Sequence, residues 1–116
     1  MVIILSDIKL SKDNDFLICT LYKTFLEKTK NGSSKSDARW LGSSDEIQEK
    51  LVKNWSKEDV ATACWELHRK ELLKCSPGDD IAYSTYLTDE GIIYMENRFK
   101  NGLSDLLDYA QKLKFW

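Results

Sequence analysis

Cys64, His68 and Cys75 are the residues of this chain whose types and spacing suggest a metal site. Cys64 and His68 are four residues apart, a spacing that places two ligands on one side of a helix, and Cys75 follows seven residues later. Zinc sites usually have four ligands in closely spaced pairs, and the alternative is two core cysteines beside a partly exposed histidine. We expect that alternative, with no bound metal and no other cofactor. A redox switch at Cys64 or Cys75 has no further support in the sequence.

Catalytic chemistry has few candidates in the sequence. His68 is the only histidine, so any acid–base chemistry that uses histidine depends on this one residue. The sequence has no nucleophile–base arrangement, no glycine-rich phosphate loop and no acidic metal cluster. We therefore expect that the protein is not an enzyme.

The composition predicts one globular domain that spans residues 1–116. Hydrophobic residues make up 42% of the chain and charged residues 31%, which is ordinary for a protein with a single core. The longest apolar run, Met1–Leu5, is too short for a membrane span and lacks the flanks of a signal peptide. Three widely spaced cysteines are typical of buried, reduced thiols. These features favour a soluble, cytoplasmic protein that does not associate with membranes.

Capping residues and hydrophobic spacing predict a mostly helical α+β fold. A first amphipathic helix is expected over 13–28, followed by a loop over 30–37 and a brief strand over 38–41. Two capping boxes, Ser43 with Glu46 and Ser56 with Asp59, predict helices that run to about residue 54 and from 57 to 71. Because these two helices are almost contiguous, they must cross steeply, as in a helix-turn-helix.

The second half of the chain predicts a β-hairpin and two more helices. Residues 72–76 and 80–87 read as strands that flank a turn at Pro77, Gly78 and Asp79. Helices follow from Thr88 to about residue 99 and from Leu103 onward. The complete order of elements is that of a winged helix-turn-helix, with residues 1–10 outside it as an extra strand or an arm.

Three segments resemble winged helix-turn-helix proteins of bacteria and their phages: SSDEIQEKL, SKEDVATACWELHRKELLK and YLTDEGIIYME. The last segment, together with the tail KLKFW, is similar to the small YjcQ-like winged-helix proteins of Gram-positive bacteria and their mobile elements. The resemblance implies a DNA-binding transcription regulator, often dimeric, whose third helix enters the major groove of double-stranded DNA.

The third helix supplies the candidate DNA contacts. Lys57 stands at its start, Arg69 suits guanine, and Thr62 suits a base edge or a methyl group. Trp65 could contact a thymine methyl or a sugar, and Lys70 follows at the end of the helix. The alternative is that Trp65 packs against the first or last helix and the charged residues form a solvated surface.

The charges of this region favour a second interpretation. The net charge is −2, the third helix carries several carboxylates, and the expected wing tip has Asp79 and Asp80 but no basic residue. Carboxylates repel phosphate, so a protein-interaction module on a winged-helix fold remains open beside DNA binding. For DNA, scattered basic residues could supply the phosphate contacts: Lys28, Lys30, Lys35 and Arg39.

The C-terminal segment, residues 103–116, also has two interpretations. Its apolar stripe, extended by Phe115 and Trp116, could form a homodimer interface, because aromatic residues are common interface anchors. Alternatively, the helix covers the first helix within one chain.

Overall fold

The structure is a computed structural model that describes residues 8–78 and 81–115. Within these ranges the protein is a mostly helical α+β fold, as the sequence predicts. The expected arm or strand over 1–10 falls largely outside the described residues, as do the hairpin tip (Asp79 and Asp80) and Trp116. The elements, in chain order, are α1 (Lys12–Lys30), α2 (Lys35–Ala38), β1 (Trp40–Gly42), α3 (Ser44–Lys50), α4 (Lys57–Arg69), β2 (Leu73–Gly78), β3 (Ile81–Leu87), α5 (Asp89–Arg98) and α6 (Leu103–Lys112).

The three strands form an antiparallel sheet in the order β1-β3-β2. One cross-strand row joins all three strands, with Tyr86 opposite both Trp40 and Lys74. Residues opposite one another in an antiparallel pair point to the same face, so this row defines the outer face of the sheet. The alternate residues Thr85 and Leu87 are fully buried on the inner face.

The core lies between α1, α4 and the inner face of the sheet. Leu17 and Leu21 of α1 and Leu67 of α4 are inaccessible to solvent. Each such leucine contributes roughly 1.5–3 kcal/mol through the apolar surface that it removes from water. On the sheet side, Cys75 Sγ lies 3.5 Å from the carbonyl oxygen of Cys64, so α4 rests directly against β2.

A polar cluster joins α1 to the two C-terminal helices. Arg98 donates two hydrogen bonds to the buried Asp15, of 2.7 and 3.4 Å, and the Tyr109 hydroxyl donates a short one. The Cys19 thiol is 3.7 Å from the same carboxylate. A buried charge is tolerated when it is paired and hydrogen-bonded, so this cluster fixes α5 and α6 against α1.

Several details differ from the sequence predictions: the strand expected over 38–41 lies at Trp40–Gly42, and the helix expected over 57–71 ends at Arg69. The loop expected over 30–37 contains the start of α2, which Ser34 caps by accepting a bond from the Asp37 N–H. The helix expected to reach residue 54 ends at Lys50, because the next two backbone N–H groups both donate to the Ile47 carbonyl. The expected turn residues Pro77 and Gly78 belong to β2, with a bulge just before them.

Helix α6 packs against α1 within the chain. Leu106 and Ala110 are buried, and the ring of Phe115 meets that of Phe16 edge-on at 5.1 Å. Leu107 in α6 and Leu113 just after it remain exposed. The stripe therefore covers α1, as one of the two interpretations expected, and the homodimer stays a prediction. Across residues 8–78 and 81–115, no helix combines the length and apolar character that crossing a bilayer requires.

Candidate nucleic-acid interface

Helices α3 and α4 form the unit that the sequence assigns to DNA binding. Ser43 accepts a bond from the Glu46 N–H, and Glu46 accepts one from the Ser43 N–H, which completes the expected capping box. Ser56 caps α4 by accepting a bond of 3.0 Å from the Asp59 N–H. Such caps satisfy backbone N–H groups that have no partner inside the helix, so both helix starts are well defined.

Gln48 holds the turn between α3 and α4 in place. Its side-chain amide donates to the backbone carbonyls of Lys53 and Trp55, at 3.3 and 2.8 Å. The backbone N–H of Trp55 also donates to the Val52 carbonyl at 3.0 Å. This role of Gln48 was not predictable from the sequence, because local spacing does not show where a glutamine on a helix will find carbonyl partners.

Thr62 and Arg69 lie on the exposed side of α4. They are seven residues apart, which is close to two full turns, so they occupy the same stripe. Glu58, one turn earlier on this stripe, is also exposed, and so is its neighbour Asp59. The stripe therefore presents carboxylates in its first turn and a guanidinium near its end.

Lys57 is bound by two carboxylates of α3. Its ammonium lies 3.0 Å from Glu49 Oε1 and 4.0 Å from Asp45 Oδ2. The hydrogen bond to Glu49, with the charges of both carboxylates, raises the pKa of Lys57. The ammonium is therefore charged but neutralised within the helix-turn-helix, which weakens it as a phosphate or base contact.

Trp65 and Lys70 are less accessible than the sequence analysis assumed for a DNA contact. Trp65 is half-buried against the core, with its ring edge-on to His68 at 5.3 Å between centroids. Lys70 is half-buried as the residue that ends α4. Trp65 is therefore only partly accessible, and its packing against the first or last helix stays a prediction.

Cys64 on α4 and Cys75 on β2 are both buried, and His68 lies near them. His68 Nδ1 accepts a hydrogen bond of 3.1 Å from the Cys75 N–H, so this ring nitrogen already has a partner within the protein. Burial raises the pKa of Cys64 to about 12, with a contribution from Cys75, and burial raises the pKa of Cys75 to about 11. In the part of the chain that the structure describes, no three His, Cys, Asp or Glu side chains form a group suited to a metal ion.

Comparisons with known proteins do not identify a family for this chain. Searches with protein-family models, against curated proteins and against solved structures found no match to this chain.

Proposed function

We propose that the protein is a winged-helix protein that binds double-stranded DNA through the exposed side of α4, as a transcription regulator of a bacterium, a phage or a mobile element. Arg69 and Thr62 are the principal contacts, with Lys70 at the end of the helix. Trp65 and Lys57 mainly support α4, since one is packed and the other is bound to α3.

The arrangement of α3, α4 and the hairpin carries this proposal. Two capped helices joined by a short turn are followed at once by β2 and β3, and β1 completes the sheet on the far side of β3. In helix-turn-helix proteins the second helix of the pair is the one that enters the major groove. The position of α4 as the second helix of the pair, with an exposed stripe, supports the proposal.

The charges of α4 set the expected strength of binding. Phosphate contacts supply most of the affinity of non-specific DNA binding, and α4 offers few uncompensated cations. We therefore expect weak binding to random duplex DNA with a shallow dependence on salt, and sequence preference that depends mainly on Arg69.

Fluorescence anisotropy with labelled random-sequence duplex DNA tests the proposal, first at low salt and then in a salt titration. Arg69→Ala should weaken binding to a selected sequence by about 1–3 kcal/mol. Lys112→Ala, which removes an exposed charge from α6, is the matched control and should have little effect. Absence of duplex binding at the lowest salt, or equal affinities of wild type and Arg69→Ala, would exclude α4 as the contact.

A protein-interaction module on the same fold is the second candidate, favoured by the carboxylates that surround the start of α4. Asp45 and Glu49 bind Lys57, and the exposed Glu58 and Asp59 add further negative charge. A protein partner with a basic surface would complement this region. A stoichiometric partner recovered from host lysate, and lost when Glu58 and Asp59 are replaced by Gln and Asn, would support this candidate over DNA binding.

A further inference from the structure

Exposed aromatic side chains are concentrated on the sheet in the described residues, and two of them, Trp40 and Tyr86, share its outer face. Trp40 on β1 is 47% exposed, Tyr86 on β3 is 41% exposed, and Tyr83, further along β3, is 64% exposed. Large aromatic side chains are normally buried, so a group of them on one sheet face indicates a binding surface.

The local structure fixes these rings in place. Trp40 and Tyr86 face each other across β1 and β3, and the indole N–H of Trp40 donates to Ser84 Oγ at 3.2 Å. Beneath them, the buried Thr85 donates to the Gly42 carbonyl at 2.8 Å, which ties the two strands together. A ring held by its strand and by a hydrogen bond loses little freedom on binding, which favours affinity.

Uncompensated cations flank these rings. Lys74 lies beside Tyr86 on β2 and has no ion-pair partner among residues 8–78 and 81–115. Lys28 reaches over from α1 to donate to the Trp40 carbonyl at 3.1 Å, a neutral partner that leaves its charge available. A groove of about 180 Å³ continues past Trp40, with Lys28, Lys50 and the exposed Leu51 among its lining residues.

The nearby carboxylates are already engaged. Glu46, which lines the same groove, caps α3 and lies 3.6 Å from the ammonium of Lys50. Asp89, just after β3, is paired with Arg39 at 2.5 Å. Among the described residues, Lys28 and Lys74 therefore bring unpaired positive charge beside aromatic rings, whereas carboxylates surround the start of α4.

We propose that the outer face of the sheet binds single-stranded nucleic acid, with bases stacked on Trp40 and Tyr86 and phosphates beside Lys28 and Lys74. Exposed aromatic rings interleaved with cations are the chemistry by which proteins hold single strands with little sequence preference, because every base has a flat face. A duplex keeps its bases stacked on one another and offers no such faces to a sheet. This surface is thus separate from α4, and its occupant differs from the duplex proposed there.

The test measures the affinity of the full chain for a labelled oligothymidylate of about 20 nucleotides by fluorescence anisotropy at low salt. Trp40→Ala and Tyr86→Ala should each weaken binding about 5- to 140-fold, the range expected for the loss of one stacked base. Trp40→Phe keeps a ring and should retain most of the affinity. Lys74→Ala should reduce the slope of log affinity against log salt by about 0.7, the share of one phosphate on a single strand.

Ile93→Ala is the matched control, because Ile93 is 46% exposed but lies on α5, away from the sheet face. Far-UV circular dichroism and thermal unfolding would confirm that each variant is folded. Absence of oligothymidylate binding by the folded wild type at the lowest salt would overturn the proposal. The exposed rings would then be better explained as a contact surface for a protein partner. Equal affinities of wild type, Trp40→Ala and Tyr86→Ala would also overturn it, since the strand would then bind elsewhere. The duplex experiment with Arg69→Ala is independent of either result.

Discussion

The exposed side of α4 and the outer face of the sheet lie on either side of one buried layer and differ in which of their groups are free. On α4, the ammonium of Lys57 is bound to carboxylates of α3, and the ring of Trp65 is half-buried. On the sheet, Trp40 and Tyr86 are exposed, and Lys74 has no carboxylate partner in the described part of the chain.

The order of the helices and strands and the residue types on the surfaces therefore point to different regions of the protein. The proposed winged-helix fold would assign contact with duplex DNA to α4, whereas the exposed aromatic rings and unpaired cations lie on the sheet. Fold alone does not determine function, because function depends on the groups that a surface presents. Four measurements test whether the two surfaces differ in this way.

Removing the support that both surfaces share should have the largest effect. Leu67 lies on the inner side of α4 and is inaccessible to solvent. Leu67→Ala should lower the free energy of unfolding by about 2–5 kcal/mol, because it creates a cavity as well as losing buried apolar surface. Urea denaturation followed by circular dichroism measures this change. Leu107→Ala, at an exposed position of α6, is the control, and a similar loss there would contradict the description of the core.

The buried thiols between the two surfaces should make stability depend on alkaline pH. The pKa of Cys64 is raised to about 12 and that of Cys75 to about 11, from an ordinary value of 9.0. Above pH 9 the unfolded chain loses these protons while the folded chain keeps them, so the free energy of unfolding should fall as pH rises. Urea denaturation at a series of pH values from 8 upward measures this fall. It should be less steep in Cys64→Ala, and an equally steep fall in that variant would show that other groups are responsible.

Neutralising the carboxylates beside Lys57 should make α4 more like the sheet face. We expect the double variant Asp45→Asn/Glu49→Gln to bind random duplex DNA about threefold to tenfold more tightly at low salt, since it frees one cation and removes two repulsive charges. Anisotropy titration measures the gain. Glu96→Gln/Asp108→Asn makes the same change in net charge on α5 and α6. An equal gain in that control would mean that only net charge matters.

The sequence predicted the helices and strands better than it predicted what their surfaces present. The start of α3 was predictable because a cap such as Ser43 acts within one turn, on backbone that is already adjacent in the chain. The pairing of β1 with β3 could not be predicted in the same way, because Trp40 and Tyr86 are far apart in sequence and their register depends on tertiary packing.

The candidate site likewise combines features that local spacing predicts with features that depend on tertiary packing. The position of Arg69 on the exposed side of α4 followed from helical periodicity alone. The ion pair between Lys57 and Glu49 depends on the angle at which α3 and α4 cross, which one-dimensional spacing does not specify. The sheet face was missed for a similar reason, since Trp40, Tyr86 and Lys74 come together only when three strands are aligned.

Replacing Lys57 itself should have the smallest effect on the affinity for duplex DNA. Because Glu49 and Asp45 already match its charge, Lys57→Met alone should change the affinity for duplex DNA less than about twofold in anisotropy titrations. In the Asp45→Asn/Glu49→Gln background the same substitution should lower the affinity for duplex DNA by a larger factor, since the Lys57 ammonium would then be free to contact phosphate. The excess loss is the coupling energy of a double-mutant cycle. A coupling energy of zero, with Lys57→Met harmful in both backgrounds, would show that the ammonium contacts DNA in spite of its carboxylate partners. The contrast between α4 and the sheet would then concern only the aromatic rings.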